Sequence, residues 1–280
     1  MLTDTIRSIT HATRNVFRSW RSMLLISAVY ALLLALLYFF VAIKEATIAQ
    51  VALTFAFAVA APLLFFLLQA MIASAGANVT GDGNPPAGVG FTLRRSLASF
   101  WKLLLVTLPL IALAFFIAYL LAKAQNRFGA VLPDAVTPSR LAETARGAHP
   151  SRPINWKMAL FSTIRYLLFG LVLPLATIHL WLATAREGLL SAVRRVFALP
   201  ARAFAPRSVL IYVIGFVIFA VIPYFILFRT TQTKHAWIEI ALLVTRLVVV
   251  FALTLFGWTI TVRALGEPRT NLAQEPNEAT

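Results

Sequence analysis

The sequence contains no cysteine. That excludes a disulfide framework, a thiol nucleophile and a thiolate metal site. Acid is scarce: ten Asp and Glu in 280 residues, with the three aspartates Asp4, Asp82 and Asp134 far apart. The clustered aspartates that hold metal for phosphatidyl transfer are therefore missing. Four histidines are present, and neither His-Glu-x-x-His nor Gly-x-Ser-x-Gly occurs, which removes the usual intramembrane protease patterns. The glycine-rich stretch 81–88 is not followed by Gly-Lys-Ser/Thr, so it is not a phosphate cradle. Charged residues make up 12% of the chain, about half of what a soluble domain carries.

Apolar residues are plentiful. Sixty per cent of the chain is hydrophobic and mean hydropathy is +0.83. A globule of this size cannot bury so much apolar surface and still present a polar shell to water. The expected class is an all-α integral membrane protein. A bilayer core of about 30 Å needs roughly 20 apolar residues in a helix, and six runs qualify. They cover about 23–43, 51–75, 103–122, 158–184, 209–228 and 237–262. A β-barrel would instead show short alternating strands. The first run is too long for a signal-peptide core and lacks a small-residue cleavage site, so it reads as a retained span.

All six tryptophans, Trp20, Trp101, Trp156, Trp181, Trp237 and Trp258, stand near span ends. Indole favours the headgroup layer, so they are expected as interface anchors. Prolines interrupt four spans, at Pro62, Pro109, Pro174 and Pro223. These are read as ordinary kinks, with hinges around a transport site as the alternative.

Net charge is +15, and arginine outnumbers lysine 20 to 5. Together with abundant alanine, this suggests a GC-rich bacterial source. Counting Lys and Arg by side places 14 with the N-terminal segment, the even-to-odd connections and the tail, and nine opposite. The positive-inside rule then puts both termini in the cytoplasm of a bacterium, with the chain in its inner membrane. The basic flanks are expected to meet anionic lipid at the cytoplasmic face rather than nucleic acid.

Residues 1–22 read as a basic amphipathic helix lying on the membrane. At 100° per residue Leu2, Ile6, Ile9, Val16, Phe17 and Trp20 share one face, and Arg7, Arg14, Arg18 and Arg21 the next. Packing of this helix on the bundle is the alternative. The spacing Arg14–Trp20–Arg21 recurs as Arg95–Trp101–Lys102, an offset of 81. A weaker echo runs from Arg194 and Arg195 through Phe204 to Arg207. Three parallel units are thus expected, with interfacial helices before spans one, three and, more weakly matched, five. Residues 123–156 form the external loop, with Thr137 and Pro138 opening a short helix. Residues 263–280 are expected as a disordered cytoplasmic tail.

Three charges fall inside spans: Arg165 in the fourth, Glu239 and Arg246 in the sixth. Each costs about 2.5–3.5 kcal/mol at the bilayer centre, so each needs a reason. Both arginines are expected to snorkel to headgroups or satisfy backbone carbonyls. The alternative is that Glu239 pairs with Arg165 across helices, leaving Arg246 to face a cavity and an anion. Gln69 is expected to bond between helices, and His179 to stand near a span end. No catalytic residue, cofactor site or metal site is expected. The functional expectation is a non-catalytic scaffold, assembly or lipid-organising protein, with a membrane-protein partner or a second copy as further candidates. A transporter or permease subunit for an anionic solute or lipid is the runner-up, and a membrane enzyme the least supported.

Overall fold

A computed structural model describes residues 2–43, 47–77, 89–128, 156–194, 203–229 and 235–267. Those residues are helical, with no strand among them. The helices are α1 (Leu2–Arg18), α2 (Trp20–Ala42), α3 (Ile48–Ala77), α4 (Val89–Phe128) and α5 (Trp156–Leu167). There follow α6 (Leu173–Glu187), α7 (Leu189–Arg194), α8 (Pro206–Phe216), α9 (Ile222–Phe228) and α10 (Ala236–Gly266). Two π-helical segments, Leu168–Val172 and Val217–Val221, join α5 to α6 and α8 to α9. Six stretches are long and apolar enough to cross a membrane: Trp20–Ala42, Ile48–Ala77, Leu93–Arg127, Ala159–Glu187, Pro206–Phe228 and Ala236–Gly266. Each overlaps one of the six runs read from the sequence.

Local chemistry explains the helix ends. Thr47 and Gln50 form a reciprocal capping box: the Thr47 amide donates to Gln50 Oε1 at 3.0 Å, and the Gln50 amide to Thr47 Oγ1 at 3.3 Å. Two orphan donors at the start of α3 are thereby satisfied. Pro206 opens α8, where its missing N–H costs nothing. Gly188, at φ +85°, takes the left-handed conformation that ends α6, and its amide donates to the Thr184 carbonyl at 3.1 Å.

The repeated basic segments differ in structure. The first is broken at Ser19, where the backbone leaves the helical region. The second is not a separate interfacial helix: α4 runs unbroken for 40 residues, about 60 Å at 1.5 Å per residue. Most of the third lies outside the described residues, as do the 81–88 loop, Thr137 and Pro138, and residues 268–280. α10 continues past residue 263, where a tail is expected from the sequence, to Gly266, with Arg263 through Gly266 buried.

The chain divides into two compact units, Met1–Thr107 with Leu175–Thr280, and Leu108–Pro174. In the first unit α10 is the hub, packed against α1, α3, α8, α9 and the second π segment, while α2 packs on α3. Its core lies toward one end. Met71 and Ile72 of α3, Leu103 of α4, Ile178 of α6 and Val262 of α10 are all fully buried there. The far halves of α2, α3 and α10 present Val41, Phe55 and Val248 outward, as lipid-facing surfaces do. Because the core end carries the basic flanks of α1 and α6, it is called the basic end below. The second unit comprises the far part of α4 with α5 and the first π segment. Its surface is also apolar, with Phe115, Phe116 and Tyr166 exposed.

The two π segments stand in one register with proline. Each spans five residues, followed by one residue and then Pro174 or Pro223. The amides of Leu173 and Ile222 reach back five residues, to the carbonyls of Leu168 and Val217. A proline ring clashes with the carbonyl four residues earlier and offers no N–H to it. Widening the preceding turn relieves that clash. Pro62 and Pro109 lie inside α3 and α4, with no π segment beside either in the described residues.

Candidate functional site

The first helix docks in an unexpected way. The face of α1 buried in the first unit is Thr5, Ser8, Ala12 and Val16, a stripe spaced by three and four that shares one side of a helix. Small side chains let two backbones approach closely. The apolar side, with Leu2, Ile6 and Phe17, stays largely exposed. Arg7, Arg14 and Arg18 are exposed on the side beyond it. Thus α1 is packed on the bundle while still showing one apolar and one basic flank.

Several polar contacts fasten α1 to the end of α10. Ser19 at the α1–α2 joint donates to the Asn15 carbonyl at 2.9 Å, closing the end of α1. The same hydroxyl accepts from Arg263 Nη1 at 3.0 Å. His11 Nδ1 donates to Glu267 Oε1 at 2.5 Å, and Phe17 stacks on Phe256 with centroids 6.2 Å apart. Arg186 of α6 donates to the Gly266 carbonyl, a natural role for a cation facing a helix C-terminus.

Arg263 has the position of an ordinary flanking charge, yet it is only 4% exposed. Among the described residues its guanidinium bonds Ser19, and its Nε has no partner. No carboxylate bridges it among those residues. Nothing in its sequence position distinguishes it from an ordinary basic flank.

Arg165, Glu239 and Arg246 divide between the two units. Arg165 lies in the second, on α5, and is exposed. Glu239 and Arg246 lie in the first, on α10. Arg246 Nη1 donates to the main-chain carbonyl of Arg229.

The tryptophans separate into two kinds. Trp20, Trp101, Trp156 and Trp237 are exposed, as interface anchors need. Trp181 is buried and Trp258 is half-buried. Trp181 Nε1 donates to Thr107 Oγ1 at 2.8 Å, and Trp258 Nε1 to Gln69 Oε1 at 2.9 Å. These two indoles therefore hold helices together. Gln69 does bond between helices, as its place in an apolar span implied.

Among the described residues no group of three or more His, Asp or Glu is placed to hold a metal ion. No family model, curated protein or solved structure matches this chain.

Proposed function

We propose that this chain is a non-catalytic, six-span protein of a bacterial inner membrane, with both termini cytoplasmic. Its role is to bind and organise anionic lipid at its basic end, alone or as the scaffold of a larger assembly. The observation that carries this reading is the docking of α1. The helix is anchored by its small-residue stripe, so its apolar flank and its arginines remain outward. An interfacial helix binds anionic membranes by those two features together. The same helix represents the first of the basic amphipathic elements expected from the sequence.

The test is native mass spectrometry of the full-length protein released from micelles, with phosphatidylglycerol and phosphatidylcholine offered in equal amounts. Phosphatidylglycerol should be retained preferentially. The double variant Arg14→Gln/Arg18→Gln should lower that preference roughly tenfold or more, at about 1 kcal/mol per basic residue. Equal retention of the two lipids by the wild type would overturn the proposal.

A transporter for an anionic solute or lipid is the second reading. It draws support from the π segments beside Pro174 and Pro223, because π turns inside helices frequently stand at functional sites. Anion flux into proteoliposomes above the empty-vesicle rate would favour it over the scaffold.

A further inference from the structure

A narrow cavity lies within the first unit between α1, α10 and the run of α8 with the second π segment. Its volume is about 250 Å³, and its walls include Ile9 and Thr13 of α1, Ile211 and Ile218 opposite, and Ala252 and Ile260 of α10. We infer that this cavity holds part of one acyl chain of an anionic phospholipid drawn from the leaflet at the basic end, with Arg207 at its mouth receiving the phosphate. The inference deepens the lipid-binding reading above and rests on it.

Shape speaks first. Along α10 the lining runs from Ala252 to Thr261, about 14 Å at 1.5 Å per residue. The volume is below the 300–1,000 Å³ of clefts that hold drug-sized molecules. A long, thin, apolar space suits a hydrocarbon chain better than a compact solute. Two of the three walls belong to stretches long and apolar enough to span a membrane, so chains are at hand.

Charge speaks next. Arg207 stands one turn before Ile211 on α8, hence on the same side of the helix. It is half-buried, and its Nη2 donates to Ser8 Oγ at 2.5 Å. A guanidinium has five N–H donors in a planar fork suited to phosphate, so this bond leaves others to offer. The exposed Arg14 lies one residue beyond the lining Thr13. A cation at the end of an apolar slot is the complement of an anionic lipid. A protein helix would need a wider groove, and a neutral lipid would make no use of the Arg207 charge, which also reaches Asp4 of α1.

Gly215 and Gly257 both line the slot. A Cβ on Gly215 would lie 2.0 Å from Thr261 Oγ1, and one on Gly257 would lie 3.0 Å from Phe219 Cβ, so α10 touches α8 and the second π segment at both glycines. Phe256, another lining residue, is held by its stack on Phe17 of α1.

The experiment uses the full-length protein, delipidated in detergent and then offered phosphatidylglycerol or phosphatidylcholine of matched chains. Native mass spectrometry counts the lipid retained, and thermal unfolding reports the fold. Ala252→Phe and Thr13→Phe each fill the slot from a different wall. Each should reduce retained phosphatidylglycerol at least tenfold without lowering the melting temperature. Arg207→Gln should keep a bound lipid but cut the preference for phosphatidylglycerol about fivefold. If both filling variants fold and retain lipid as the wild type does, the inference fails, while the broader lipid reading stands on the Arg14/Arg18 variant. A dimer that either filling variant dissolves would assign the slot to a second copy and overturn the inference. Failure of the wild type to retain phosphatidylglycerol would overturn both readings.

Discussion

Nη1 of Arg263 lies 3.0 Å from Oγ of Ser19, joining the end of α10 to the bend between α1 and α2. Arg263 itself is buried, and no carboxylate accompanies it among the described residues. An arginine so enclosed carries a desolvation cost that one hydroxyl does not offset. Arg263→Met, which keeps the volume and removes the charge, should leave the melting temperature in detergent unchanged or raise it. Ser19→Ala should instead lower stability by about 1–3 kcal/mol, because it strands the guanidinium. A clear loss of stability in Arg263→Met would mean that its charge has a partner supplied from outside the described residues.

Gly215 is where α8 meets α10. Gly215→Ala should destabilise the protein by about 1–3 kcal/mol, the usual cost of overpacking. Adding Thr261→Ala removes the two shorter clashes, with Oγ1 at 2.0 Å and Cγ2 at 2.7 Å, and should recover part of the loss. A thermal or denaturant double-mutant cycle measures the coupling. Strict additivity would show that the two helices do not touch at this point.

The indoles should report their surroundings. In variants keeping a single tryptophan, Trp20, Trp101, Trp156 and Trp237 should be quenched strongly by agents confined to the headgroup layer. Trp181 should be quenched weakly and emit to the blue. Trp258→Phe should cost about 0.6 kcal/mol, and at most about 1.7, the range for interhelical hydrogen bonds in membranes. Strong interfacial quenching of Trp181 would refute its hydrogen bond to Thr107.

The π turns should depend on their prolines. Pro174→Ala and Pro223→Ala each restore an amide donor and remove a ring clash. Amide exchange across 168–174 and 217–223 should slow as the ordinary helical ladder closes. Unchanged exchange in both variants would mean that the neighbouring packing, rather than the ring, sets the wide turns.

The six spans could be read from the sequence because length and apolarity alone determine them, and Gln69 because a lone amide in an apolar helix has few other uses. The Thr47–Gln50 capping box is equally legible, as a threonine three residues before a glutamine. Other features depend on neighbours that are distant in sequence. Apolar periodicity directs attention to Leu2, Ile6 and Phe17, whereas close helix packing selected the small residues Thr5, Ser8 and Ala12. Trp181 and Trp258 occupy the depth of interface anchors, and only the facing Thr107 and Gln69 reveal their role. The repeat at offset 81 aligns Ser19 with Phe100. The serine hydroxyl can bond the Asn15 carbonyl where the helix breaks; a phenylalanine cannot, and α4 runs straight through. For Arg246 the place inside a span is legible, but the Arg229 carbonyl it meets is not.

The packing of α1 on α10 has a consequence for the order of events during synthesis. Ser19 and Arg263 are 244 positions apart. Translation at about 5–20 residues per second separates them by roughly 12–50 s. Throughout that interval α1 has emerged but the helix that covers its small-residue stripe has not. The spans inserted earlier must wait as a loose array around an empty place. A cell that stalls on this message, or cuts the product before α10, should release a chain without its hub, a natural substrate for membrane quality-control proteases.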